Sequence, residues 1–153
     1  MMTLEDVVFY AYQSANNLKD HIRELPVTEE ERARIAWVCN QNPDNDYFDD
    51  VVEGGNPTWD RVFALSIDEA FRYFEDSADR RTPVTPYAVE KSSYINSNYN
   101  KSRGRGTGWW WLRSPGICGN DAAYVTPDGD VFGHGFCVSN DSVSVRPALW
   151  LHL

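Results

Sequence analysis

A chain of 153 residues, 42% hydrophobic and 24% charged, is long enough for one real core and too short for two comfortable ones, so a single domain over 1–153 is expected. Its net charge of -9 argues against a nucleic-acid partner, since phosphate recognition needs a basic footprint and the one basic concentration, Lys101-Ser102-Arg103-Gly104-Arg105, is short and Gly-spaced. No apolar run approaches the ~20 residues of a membrane span, no signal peptide is visible, and an odd, sparse set of cysteines (Cys39, Cys118, Cys137) excludes a disulfide scaffold and makes a reducing compartment the default.

Taken in order, Thr3-Leu4-Glu5-Asp6 reads as a helix start, with Thr3 as N-cap and acids in the first turn. Apolar residues at helical spacing (Leu4, Val7, Val8, Ala11, Ala15, Leu18) carry that helix to about Leu25. Thr28-Glu29-Glu30-Glu31 is a capping box for a second helix through Arg32, Ile35, Ala36 and Val38, giving a helical start over 1–40. From Asn40 to Pro57 the chain turns to Asn, Asp, Gly and Pro. Asp44, Asp46, Asp49 and Asp50 raise the question of calcium, but the Gly and Glu positions of an EF-hand loop are missing, so a solvated acidic loop is the expectation. Val62-Phe63-Ala64-Leu65 reads as a short buried strand. Ser66-Ile67-Asp68-Glu69 is a further capping box, opening a helix whose apolar stripe is Ile67, Ala70, Phe71 and Phe74. Thr85-Pro86 looks like another helix start, and 92–108 reads as a polar, Tyr- and Gly-rich loop.

The remainder is β-rich. Trp109 to Leu112 is expected as a strand. Ala122-Ala123-Tyr124-Val125 and Asp130-Val131-Phe132 flank Thr126-Pro127-Asp128-Gly129, whose Pro-Asp-Gly sequence signals a hairpin turn. Phe136-Cys137-Val138, Val143-Ser144-Val145 and Ala148 to Leu151 read as further short strands. Helices first and an antiparallel sheet afterwards make an α+β domain.

The frame Trp110-Trp111-Leu112-Arg113-Ser114-Pro115-Gly116, Ala122-Ala123-Tyr124-Val125, Gly129, Val131, Gly135, Val138 and Val145-Arg146-Pro147-Ala148-Leu149-Trp150 resembles a bacterial and phage family. That family is catalogued as a domain of unknown function, and several of its members are variable proteins of diversity-generating retroelements. Val62 to Ala70 and Thr85-Pro86-Tyr87-Ala88 look similar to it as well; the likeness covers 58–153 well and the first helices loosely. The resemblance implies a C-type-lectin-like fold of the formylglycine-generating-enzyme branch, N-terminal helices followed by a twisted antiparallel sheet with long loops. It also implies a variable region over 109–150, rewritten at adenines and forming a ligand-binding face. Asn codons mutated at both adenines never yield Lys, Glu, Gln, Met or Trp, and none of these occurs between Ser114 and Leu149. A Gly/Asn-rich sheet that disfavours Lys and Glu accounts for the same absence.

The expected variable face comprises Ile117, Cys118, Asn120, Asp121, Tyr124, Thr126, Asp128, Asp130, Phe132, His134, Phe136, Cys137, Ser139, Asn140, Asp141 and Ser142. Its aromatics supply contact area at low entropy cost and its Ser and Asn adaptable hydrogen bonds, the economy of antibody paratopes. Its acids favour a partner, a protein or cell-surface ligand, with a basic patch. Trp109, Trp110, Trp111, Arg113, Arg146 and Trp150 are expected as scaffold: strand alternation puts Trp110 opposite Trp109 and Trp111, which forces core packing on at least one side. The arginines would hold loops through carbonyls or an acid such as Asp68 or Glu69.

Two other readings are kept. Cys118, His134 and Cys137 contain a His-x-x-Cys spacing that zinc or copper could use in an oxidase-like enzyme, although the cysteine spacing of formylglycine-generating enzymes is not reproduced. A disulfide between Cys118 and Cys137 is geometrically conceivable. The Trp faces could instead stack on sugars as a carbohydrate-binding module. No Ser-His-Asp order or acid pair stands out, so the expectation is a non-enzymatic ligand-binding, receptor- or adhesin-like protein without cofactor or metal, cytoplasmic or phage-particle by default.

Overall fold

A computed structural model describes residues 28–47, 51–84, 106–140 and 142–152. The expected helix over Thr3–Leu25, the Thr85-Pro86 helix start, Asp49, Asp50, most of the 92–108 loop and Asp141 lie outside the described residues.

The described chain opens with helix α1 (Glu29–Arg34), entered through the expected capping box: Thr28 accepts from the Glu31 backbone and the Glu31 carboxylate accepts from the Thr28 backbone. The helix is shorter than its apolar spacing implies. Ile35 is already extended and bridges to Leu151, the Ala36 amide donates to the Trp150 carbonyl at 2.8 Å, and Val38–Asn40 forms strand β1. β-branched Ile35 and Val38 suit an extended backbone, and partners elsewhere in the chain were there to pair with it. β1 pairs antiparallel with β2 (Thr58–Asp60).

Between these strands the described parts of the expected acidic loop are bonded to one another. Asn45 and Val52 exchange backbone hydrogen bonds, and the Asp44 carboxylate accepts from the Gly54 amide. Asn45 is buried, and its side-chain amide donates to the carbonyls of Pro115 at 2.7 Å and Gly133 at 3.0 Å. The Val62–Leu65 strand is reduced to one bridge, Phe63 to Ala148, though Val62, Phe63 and Leu65 are buried as expected.

Helix α2 (Ile67–Tyr73) starts at the Ser66 capping box, as the sequence indicates. Ile67 and Ala70 are buried and Phe74 packs against the core. Phe71 departs from the expected stripe: it is exposed, stacked on Tyr47 and capped by the Arg80 guanidinium. The one-turn helix α3 (Ser77–Arg80) then delivers Arg80 into the interior, where Nε donates to the Gly129 carbonyl at 2.8 Å.

The main sheet is β3 (Trp110–Pro115), β4 (Asp121–Val125) and β5 (Val131–Cys137), antiparallel in the order β3-β4-β5. The β4–β5 hairpin turns at Thr126–Gly129 as expected, with Gly129 at φ 86°. Two of the expected short strands, at Asp130–Phe132 and Phe136–Val138, are one strand. The segments at 143–145 and 148–151 are not strands: Ser144 bridges to Trp110, Ala148 to Phe63 and Leu151 to Ile35. The fold is therefore α+β, with small helices and antiparallel sheets.

Alternation sorts the sheet into two faces. Trp110, Leu112, Ala123, Val125 and Val131 point inward and join Phe63, Leu65, Ile67 and Ala70 in the core. Trp110 is completely buried, its indole N–H donating to the Arg80 carbonyl at 3.1 Å. The Ser114 hydroxyl accepts from the Ile67 amide at 3.0 Å, and the Arg113 amide donates to the Leu65 carbonyl, which tie α2 to β3. The opposite face of the sheet carries the candidate site.

Candidate functional site

Directly opposed residues of an antiparallel pair share a face. Trp111 opposes Tyr124, Tyr124 opposes Phe132, and Ala122 opposes Phe136. The outer face is thus a row of rings crossing three strands. Trp111 meets Tyr124 edge-on at 6.2 Å between centroids, Tyr124 tilts against Phe132 at 5.2 Å, and Phe132 against His134 at 5.7 Å. Phe132 is 44% exposed and Phe136 48%. Tyr124, held between two rings, is half-buried, and burial pushes its phenol above the ordinary value.

β5 does not run flat beneath this row. Between the pairs Tyr124–Phe132 and Ala122–Phe136 it carries two more residues than β4, absorbed at Gly133-His134-Gly135. Gly135 sits at φ 79°, and a Cβ there would lie 2.6 Å from the Ala122 carbonyl oxygen. Phe132, His134 and Phe136, at alternate positions of the strand, all stand exposed on one side.

The remaining expected face residues fall into two groups at the ends of the hairpin. Thr126, Asp128 and Asp130 surround the turn: the Thr126 amide donates to the Asp130 carbonyl, and the Asp130 amide donates to the Thr126 hydroxyl at 3.1 Å. Ile117, Cys118, Asn120, Asp121, Cys137, Ser139, Asn140 and Ser142 gather at the other end, about 15 Å away along the strands. There the Asn120 amide group donates to Cys137 Sγ at 3.4 Å, Val138 N–H reaches the Asn120 carbonyl, and Ser142 donates twice to Asn140 Oδ1. Ile117 and Val138 are the exposed apolar members of this end. The Ser139 hydroxyl, 3.1 Å from Cys137 Sγ, contributes most to holding that thiol below its ordinary pKa, against nearby Asp121.

The residues considered for metal chemistry are therefore divided. His134 belongs to the ring row, while Cys137 belongs to the Asn120–Ser139 end. Cys118 and Cys137 are both free thiols, and among the described residues no group of three His, Cys, Asp or Glu is arranged to hold a metal ion.

The scaffold residues occupy several environments. Trp110 is core and Trp109 and Trp111 are half-buried. Arg113 joins Glu69 in a two-pronged ion pair, the Glu69 choice among the two acids expected for it. Arg146 lies over the rings of Phe74 at 4.6 Å and Trp110 at 5.1 Å and donates to the Arg80 carbonyl; burial lowers its pKa. Trp150 is half exposed, holding its place through its carbonyl and an edge contact with Tyr73.

Trp111 joins the ring row although it was expected only as frame; strand alternation against Trp110 was the signal for it. Asn45 and Arg80, which bond the carbonyls of Gly133 in β5 and Gly129 in the turn before it, gave no such signal.

Among the described residues no helix is long and apolar enough to cross a membrane. Residues 22–153 match the model of a family described as Domain of unknown function (DUF6273). No curated protein and no solved structure matches the chain.

Proposed function

We propose that this chain, which belongs to that family of domains of unknown function, is a non-enzymatic ligand-binding protein whose outer sheet face is the recognition surface. The single observation carrying the reading is the row Trp111–Tyr124–Phe132–His134, with Phe136 beside it, on the outer face of a sheet whose other face is the core: Phe132, His134 and Phe136 are exposed and Trp111 and Tyr124 half-buried. Large rings held at fixed spacing on paired strands offer contact area with little conformational entropy left to lose. A soluble domain rarely leaves so many aromatics together on one face without a partner.

The fold reading is C-type-lectin-like, of the formylglycine-generating-enzyme branch, and the face is one that a retroelement diversifies. Support comes from the division of labour in the hairpin. Residues that set backbone geometry (Gly129, Gly133, Gly135, Ala123, Val125, Val131) alternate with Tyr124, Phe132, His134 and Phe136, whose side chains lie on the solvent side. Changing Phe132, His134 or Phe136, which lie outside the core cluster, leaves the first set untouched. The partner is a protein or cell-surface ligand.

The test is a yeast-displayed library randomised at Tyr124, Phe132, His134 and Phe136. Most clones are expected to display at wild-type levels and to yield binders to unrelated protein baits. Collapse of display in most clones would make these positions core and sink the proposal. The diversification part has its own check in the neighbouring DNA: a near-copy of the 109–150 coding segment with Asn codons at the variable positions, beside a reverse transcriptase gene. Without it the chain is an undiversified relative.

A further inference from the structure

Resting on that reading of the face, we infer that its ligand group is an arginine side chain of a protein or peptide partner, taken up where the ring row meets the hairpin turn. Three observations converge there. Tyr124 and Phe132 are an opposed pair with ring planes only 33° apart and Phe132 44% exposed, so a flat group can lie against the Phe132 ring while its edge nears Tyr124. Asp130 stands two residues before Phe132 on the same side of the strand, with buried Val131 between them, an offset of about 6.6 Å along the chain. Its amide is tied to Thr126, yet its exposed carboxylate meets no partner among the described residues.

A guanidinium satisfies both features at once. It is planar and weakly hydrated, stacks on aromatic faces, and presents a fork of N–H donors that matches a carboxylate. With the guanidinium plane against Phe132 its N–H edge can turn to Asp130, while its aliphatic stem covers apolar surface. An ammonium answers the charge but neither the plane nor the fork. The chain's net charge of -9 favours a cationic partner.

The probe is acetyl-Gly-Arg-Gly-amide, titrated into labelled protein and followed by amide and ring NMR shifts, beside its lysine and citrulline counterparts. Saturable shifts are expected at Thr126, Asp130, Phe132 and Tyr124, with the lysine peptide weaker by about threefold or more and citrulline, the uncharged isostere, giving none. Asp130→Asn and Phe132→Ser should each raise the arginine-peptide Kd by about fivefold or more while leaving distant shifts in place. Citrulline shifting the same residues, an unchanged Kd in Asp130→Asn, or shifts spread evenly over the acidic surface would overturn the assignment. If the arginine peptide fails while the displayed library still yields binders, the face remains a recognition surface and the arginine assignment alone falls. A library that collapses removes both.

Discussion

Arg113 directs its donors to helix α2 and to two loop segments, at 41–42 and at Ala64. Its Nη1 and Nη2 fork onto Glu69 of α2, the same nitrogens reach the Ala64 and Gln41 carbonyls at 2.8 Å each, and Nε lies 3.2 Å from Asn42 Oδ1. The pair is mostly out of water, with 13% of the arginine side chain and 20% of the glutamate exposed. Burial alone pushes the Glu69 carboxyl up, but the Arg113 and Ser66 hydrogen bonds and the charges of Arg113 and Arg72 together outweigh it and hold the group below its ordinary value. A carboxylate with a depressed folded-state pKa stabilises the protein fully above the unfolded value of 4.5, and that contribution is lost as pH falls through the lower native value. Glu69→Gln should therefore cost about 1–3 kcal/mol at pH 7 by urea titration, because Arg113 keeps its burial and loses its counter-charge. The same variant should show a flatter decline of stability below pH 4.5 than the parent; an equally steep decline would place the acid sensitivity in other carboxylates. This contact was legible in part. That an arginine between Leu112 and Ser114 would bind carbonyls or a nearby acid follows from its donor geometry, and Glu69 is at hand because its own capping box places it at the first turn of α2.

The elements best foretold are those with local chemical instructions. Both described capping boxes and the Pro-Asp-Gly turn formed where expected, since each is satisfied by residues within a few positions of one another. The sequence reading failed where partners come from far along the chain. Ile35 and Ala36 read as helix until Leu151 and Trp150 claim them, and Ala148 to Leu151 read as a strand although only single bridges form. At the turn the local instruction can be tested. Gly129 has positive φ, and a Cβ would overlap the Ser77 carbonyl oxygen of the segment packed beneath it. Gly129→Ala should cost about 2–3 kcal/mol, backbone strain plus displacement of α3, and should weaken the Arg80 bond to the Gly129 carbonyl. Thermal unfolding with less than about 1 kcal/mol of loss would mean the turn relaxes to another type. Ser66→Ala is expected to cost about 1–2 kcal/mol, as the buried hydroxyl that accepts from the Glu69 amide is removed.

At the scale of the whole molecule, one sheet serves two purposes, and the alternation of side chains keeps them separate. The sequence marked the segment but not the separation. Sixteen positions between Ile117 and Ser142 read as one variable face, whereas the structure distributes the described ones among a ring row, a turn and a distal loop cluster, and the Asn45 and Arg80 clamps on this hairpin come from contacts 49 to 88 residues apart. Nothing in a lone Asn or Arg announces a carbonyl at that distance. The separation predicts opposite outcomes for residues close in sequence. Trp110 is wholly enclosed by Phe74, Arg146 and the core, so Trp110→Ala should cost about 3–5 kcal/mol, a large part of the stability of a domain this size. Phe132→Ser with Phe136→Ser should lower stability by less than about 1 kcal/mol, since each ring keeps nearly half its area in water and lies outside the core cluster. Tyr124→Ser should fall between, because Trp111 and Phe132 both rest on its ring. Urea melts of the four proteins would give that order if the outer face is independent of the core. A double Phe variant as damaged as Trp110→Ala would mean that the ring row holds the sheet together, and a surface that holds the fold together cannot be freely rewritten for binding.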